Sequence, residues 1–202
     1  MTVTRTRTPL PPPGRPGAAG APYVDVAAPL VADGAANPRR LGAHLVGDGV
    51  DVAVHATRAH RVDVCLLNVA ADGALTERRY RLQGPVDGIW HGHVPGVRAG
   101  QRYGFRVHGH WDPSAGLLHN PAKLLLDPYA RALTGQVTVA PPIYAHAVDD
   151  ALVPVDGGSR DGTDSAPFVA HGVVVDAGFD GAVPSPASRG TGRCSTRPTC
   201  AA

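Results

Sequence analysis

Ten histidines and three cysteines are the groups in this 202-residue chain with the widest chemical repertoire. Their spacing narrows what they do. His91-Gly92-His93 and His108-Gly109-His110 each put two imidazoles on alternate strand positions, which share a face. A metal site needs three or four ligands, and neither pair has a third close by, so both fit polar-face alternation and no metal or cofactor is expected. Cys65, Cys194 and Cys200 make an odd count without metal-ligand spacing. Cys65, inside the apolar run VDVCLLNV, reads as a small buried hydrophobe. The Ser and Asp residues of 159–165 form no nucleophile and base arrangement and read as solvated loop. The tryptophans differ in setting. Trp90 follows Ile89 in mid-strand and should pack in a core, whereas Trp111 leaves a strand into the polar turn Asp112-Pro113-Ser114-Ala115-Gly116.

The elements that must position these groups are strands. Val50–His55, Arg61–Leu67, Leu75–Leu82, Gly88–Val94 and Gln101–His108 are short runs with period-2 character. They are separated by the turn signals Ala71-Asp72-Gly73, Pro95-Gly96 and Ala99-Gly100. In the last run Tyr103, Phe105 and Val107 alternate with Arg102, Gly104, Arg106 and His108, the pattern of a half-buried strand. The run 75–82 is more polar and belongs at an edge. Such spacing predicts an all-β fold, an immunoglobulin-like antiparallel β-sandwich over 39–141. Pro121 is expected to open a short helical turn that Asp127-Pro128 closes. Residues 127–139 are expected to add an extended segment, and 171–176 a last short strand.

Outside the sandwich the texture changes. Residues 1–38 are rich in Pro, Gly and Ala and read as a disordered leader. Residues 142–180 read as a linker, with a polar loop over 149–166, and 181–202 as an irregular tail without periodicity. The formal net charge of +2 gives no footprint for nucleic acid. No apolar run approaches the length of a membrane span, and the start of the chain lacks the apolar core of a secretory signal. A cytoplasmic location is the expectation. Nearly all cations are arginine, Lys123 being the sole lysine, which together with the Ala, Gly, Pro and Val excess suits a GC-rich coding sequence.

The wording of HGHVPGVRAGQRYGF, YGFRVHG and NPAKLLLDPYAR, spanning residues 91–131, closely resembles the N-terminal β-domain of glycogen debranching enzymes of the isoamylase type, a family 48 carbohydrate-binding module. The resemblance runs over roughly 38–180; trehalose-releasing hydrolases and plain isoamylases share it less closely. It implies an α-glucan partner, glycogen or a maltooligosaccharide, stacked on an exposed aromatic with polar groups for its hydroxyls. Trp111 falls near a sugar-stacking aromatic of such modules; the competing reading is that it packs on the 120–130 segment. Asn120 and Lys123 match the family's run and are carried over as sugar-contacting candidates, although that run more often organises the junction to a catalytic barrel, where Tyr129 is expected to be buried. The family's chemistry uses paired carboxylates above a (β/α)8 barrel, which needs about 250 residues. Some 60 residues follow the β-domain here without βα alternation, so no catalytic residue is expected and the chain alone should hydrolyse nothing. The alternative, from a different class, is a β-domain that supports the barrel and has no sugar affinity.

The resemblance also bears on the tail. After Phe179-Asp180 the family continues as FDW, a Pro-rich linker and a strand resembling VLYEAHVRG. Regrouping the codons of 190–202 by one base permits that strand, and one base before the Gly181 codon permits the missing Trp. A single lost base after Asp180 would account for both, so a frameshifted fragment, missing its catalytic barrel, is the expectation.

Overall fold

A computed structural model of the protein describes residues 36–71, 73–155 and 157–177. Of the disordered leader expected over 1–38, residues 36–38 are described, with Ala36 buried; the rest of it and the expected frameshifted tail lie outside the described residues. Among the described residues the regular structure is β-strand with single 3-10 turns, and the strand pairs are antiparallel. In chain order the strands are β1 (Gly42–Val46), β2 (Gly49–His55), β3 (Ala59–Val69), β4 (Leu75–Arg81), β5 (Gln83–Val86) and β6 (Ile89–Pro95). β7 (Arg102–Gly109), β8 (Trp111–Asp112), β9 (Leu117–Leu118), β10 (Leu133–Thr134) and β11 (His171–Val173) follow. They form a four-stranded sheet in the order β1-β2-β6-β5 and a five-stranded sheet in the order β10-β11-β7-β3-β4; β8 and β9 make a separate small hairpin. This is the expected sandwich.

The core between the sheets follows from the period of the strands. Val50, Val52 and Val54 from β2, with Trp90 and Val94 from β6, meet Val62, Val64 and Leu66 from β3 and Tyr103 and Phe105 from β7. Val62 and Val64 have no exposed surface. Trp90 is buried as expected, and its indole N–H donates to the Ala56 carbonyl, which satisfies the one polar atom the ring brings inside. β4 lies at the sheet edge, also as expected.

The outer face of the five-stranded sheet departs from expectation. It is covered. Cys65 and Leu67, the alternate residues of β3, form a second apolar cluster with Leu75, Leu124 and Ala166. β3 therefore shows six consecutive buried residues, from 62 to 67, because both its faces are covered. The cover is the segment after β9. Pro121 opens turns rather than a helix, and Leu125 then exchanges both backbone hydrogen bonds with Phe105, each 2.8 Å, beside β7. Gly104 lies directly beneath: a Cβ there would stand 3.0 Å from Leu124 Cδ1 and from the Leu125 carbonyl oxygen. The residues expected to be a linker are bound into the domain in the same way. Gly172 and Val173 pair with Tyr103 and Arg102, so β11 is a strand of the sheet. Of the extended segment expected over 127–139, only Leu133–Thr134 pairs, with β11. β1 and β5 are strands that the sequence reading did not find.

Candidate functional site

The sole lysine and its neighbour Asn120 are interior residues, 4% and 5% exposed. Lys123 Nζ spends all three donors inside the protein: on the Pro142 carbonyl at 2.8 Å, the Thr163 carbonyl at 2.8 Å and Asp161 Oδ2 at 2.5 Å. Asn120 Nδ2 donates to the carbonyls of Ala145 and Asp161, and its Oδ1 accepts from the Ala122 amide. The N–H donors of both side chains are spent inside the protein, where they fasten the 140–165 segment to the sandwich. Burial pushes the Asp161 carboxyl up, but the hydrogen bonds from Lys123 and Thr163 outweigh it and hold the pKa below the usual value.

A second buried cation extends this fastening. Arg106, projecting from the outer face of β7, is 1% exposed. It reaches Glu77 on β4 with two nitrogens, Asp164 at 2.8 Å, and the carbonyls of Pro121 and Ala122. Burial works against its charge, yet Glu77 and then Asp164 outweigh that and hold the guanidinium pKa above its ordinary value. Burial likewise opposes the Glu77 carboxylate and is overcome, first by Arg106, so its pKa is lowered. Arg106 lies on the polar face of the half-buried pattern of β7, and the structure buries it. The pairing that defines its role reaches 58 residues along the chain, beyond any local pattern.

Trp111 stands where this fastened segment meets the 112–116 turn. It is partly exposed. Its Nε1 donates to the Gly158 carbonyl at 3.2 Å, and the Arg160 guanidinium carbon lies 5.4 Å from the ring centre. Asp112 Oδ1 caps the 3-10 turn Pro113–Ala115 by accepting from the Ser114 and Ala115 amides, and Gly116 ends it at φ +70°. The alternative of Trp111 packing on 120–130 is replaced by packing on 158–160. The arrangement is a fixed indole at a loop rim, one face under a guanidinium.

Beside it runs an apolar groove of about 310 Å³, lined among others by Val54, Phe105, Val107, Leu118, Leu126 and Pro128. Leu118, Leu125 and Leu126 are 40–48% exposed, and Tyr129, expected to be buried, is 53% exposed. Asp127 explains the difference for Tyr129. Its carboxylate takes the Tyr103 hydroxyl on one oxygen and the Tyr129 amide on the other, so backbone, not side chain, anchors Tyr129.

The histidine pairs separate into local contacts. His93 bonds Asp51 at 2.7 Å and His108 bonds Asp63 at 2.9 Å, while His110 packs edge-on against His60. Among the described residues no group of three or more His, Cys, Asp or Glu side chains could hold a metal.

The two antiparallel sheets define a β-sandwich module of the all-β class. Residues 40–130 match carbohydrate-binding module 48, the isoamylase N-terminal domain. Over 150 residues, 74% of the chain, it is 43% identical to a glycogen debranching enzyme of Erwinia tasmaniensis, and it spans about 20% of that relative's length. Solved structures similar to it include the catalytic module of the multi-modular glycogen-degrading pneumococcal virulence factor SpuA, at 20% identity and TM-score 0.45, covering 68% of this chain and 16% of that one. Another is a pullulanase from Bacillus acidopullulyticus, at 20% identity and TM-score 0.38, covering 69% and 12%.

Proposed function

We propose that the chain is the N-terminal α-glucan-binding module of a glycogen debranching enzyme, and that it presents Trp111 to glycogen or maltooligosaccharide chains. The observation that carries this reading is the Trp111 indole, held at the rim by Gly158 and Arg160 in a carbohydrate-binding module fold. A flat apolar ring of fixed orientation matches the C–H face of a glucose unit. Hydrolysis of α-1,6 branches is assigned to the parent enzyme and not to this chain, which should release no linear chains from glycogen. In a glycogen affinity gel, Trp111→Ala is expected to lose about 1–3 kcal/mol of binding, a scale carried over from base–aromatic stacking. Equal mobility of mutant and wild type, both folded, refutes the reading.

A second reading has its own support. The groove beside Phe105 and the exposed Leu118, Leu125, Leu126 and Tyr129 make an apolar surface of the kind that marks a protein interface. On this reading the module props a catalytic barrel and has no sugar affinity. The two readings are separable by mutation, because the groove and the Trp111 rim use different side chains.

A further inference from the structure

The segment that completes the rim around Trp111 lies outside residues 40–130. It is a hairpin-like loop from Ala145 to Asp161. Ala147 donates to the Ser159 carbonyl at 2.8 Å, Val155 to the Ala147 carbonyl at 3.0 Å, and Asp161 to the Ala145 carbonyl at 3.0 Å; His146 and Arg160 form a bridge pair. The two ends of the loop are the groups that Asn120 holds, the carbonyls of Ala145 and Asp161, and Lys123 holds the Asp161 side chain. Gly158 passes over the 112–116 turn, where a Cβ would lie 3.7 Å from Pro113 Cγ. Arg160 itself is exposed and, among the described residues, makes no ion pair. Its guanidinium lies over the Trp111 ring.

We propose that Arg160 is a positioning residue for glucan binding: it occupies one face of the Trp111 indole and leaves the other as the single stacking face for a glucose ring. The proposal rests on the glucan-binding reading of Trp111. A partly exposed tryptophan free to change rotamer must be immobilised when it binds, and immobilisation lowers affinity. A guanidinium on one ring face, together with the Gly158 carbonyl on the N–H edge, fixes the ring before the sugar arrives. The planar, weakly hydrated guanidinium stacks on an aromatic face better than an ammonium does, so lysine should replace it only in part. Lys123 and Asn120 enter sugar binding at one remove, because they set the loop on which Arg160 and Gly158 sit.

The test compares wild type, Trp111→Ala, Arg160→Ala and Arg160→Lys by retention in glycogen affinity gels, thermal denaturation and near-ultraviolet circular dichroism. Arg160→Ala is expected to weaken retention by about three- to tenfold, the cost of ordering one side chain on binding. It should leave the melting temperature unchanged, since the side chain is exposed. It should also remove most of the Trp111 band, defined as the difference between wild type and Trp111→Ala. Arg160→Lys should recover part of both. Retention of Arg160→Ala equal to wild type, alongside a weakened Trp111→Ala, overturns the role of Arg160 and leaves glucan binding standing. Tighter retention of Arg160→Ala overturns it too, because the guanidinium would then be blocking the stacking face. Wild-type protein that glycogen does not retain overturns both readings.

Discussion

Lys123→Met separates a fastening role from a sugar-contacting one. Methionine keeps most of the lysine stem, so the apolar contacts of the chain survive and no large cavity opens. The ammonium is lost, and three acceptors are left facing an apolar thioether: the carbonyls of Pro142 and Thr163, and Asp161 Oδ2. Removing one partner of a buried ion pair typically costs about 3–5 kcal/mol. Asp161 keeps 21% of its side chain in solvent and can be rehydrated, which pulls the ionic part toward the low end. The stranded carbonyls add desolvation of about 1 kcal/mol or more each where water cannot reach them. A net loss of about 3–5 kcal/mol follows. For a folded unit of this size, at about 3 °C per kcal/mol, the melting temperature should fall by about 9–15 °C.

The assay is thermal denaturation by far-ultraviolet circular dichroism at pH 7, with limited trypsin digestion alongside. Cleavage after Arg160 should speed up in the variant, because the loop from 145 to 161 has lost its main tether. A sugar ligand on the surface would behave differently: glycogen retention would fall while the melting temperature held. An unchanged melting temperature, within about 2 °C, together with weaker glycogen retention would refute the fastening argument and return Lys123 to the sugar-contacting role its place in the family motif suggests.

Trp90→Ala should lower stability by about 3–5 kcal/mol without a specific effect on glycogen, since it empties a core position and removes the indole hydrogen bond to the Ala56 carbonyl; a melting temperature near wild type would refute the core assignment. Acid should destabilise the fold in two stages. His171, on β11, has its pKa lowered, first by burial, so the unfolded chain takes up its proton more readily and stability is lost as pH falls from about 6.5 through the lowered value. The carboxylates of Asp63, Glu77 and Asp161 have pKa values below their ordinary 3.8, 4.5 and 3.8, so their contribution is complete above those values and disappears as pH falls through the lowered ones. A melting temperature flat between pH 7 and pH 5 would exclude the histidine stage. The apolar surface around Leu118, Leu125, Leu126 and Tyr129 should bind a hydrophobic dye at micromolar protein, and Leu126→Glu should reduce the signal; a dye-negative, monodisperse wild type counts against an exposed interface.

The strands that could be read from sequence were those whose period-2 signal is long enough to stand out: β2, β3, β4, β6 and β7. β1 and β5, written GAHLV and QGPV, are too short and too rich in Gly and Pro to show alternation, and they exist because neighbouring strands β2 and β6 offer paired edges. The layer over the outer sheet face was hidden for a different reason. Arg106 occupies an outward slot, and polarity in such a slot ordinarily means solvent; here the solvent is replaced by Glu77 and Asp164, one on the next-but-one strand and one far along the chain. Two residues nevertheless carried the signal. Gly104 interrupts the interior of a strand that otherwise favours aromatic and branched side chains, and a glycine there marks close approach of another segment, which proves to be the Leu125 backbone and the Leu124 side chain. Lys123 is the single lysine where every other cation is arginine. A compact ammonium with three donors suits three acceptors converging on one point, a geometry that a planar guanidinium fits poorly. Asn120 and Lys123, the polar positions of the family motif, are built into the fastening of the loop, and the surface that this fastening presents is Trp111 with Arg160, from two segments that no local pattern joins.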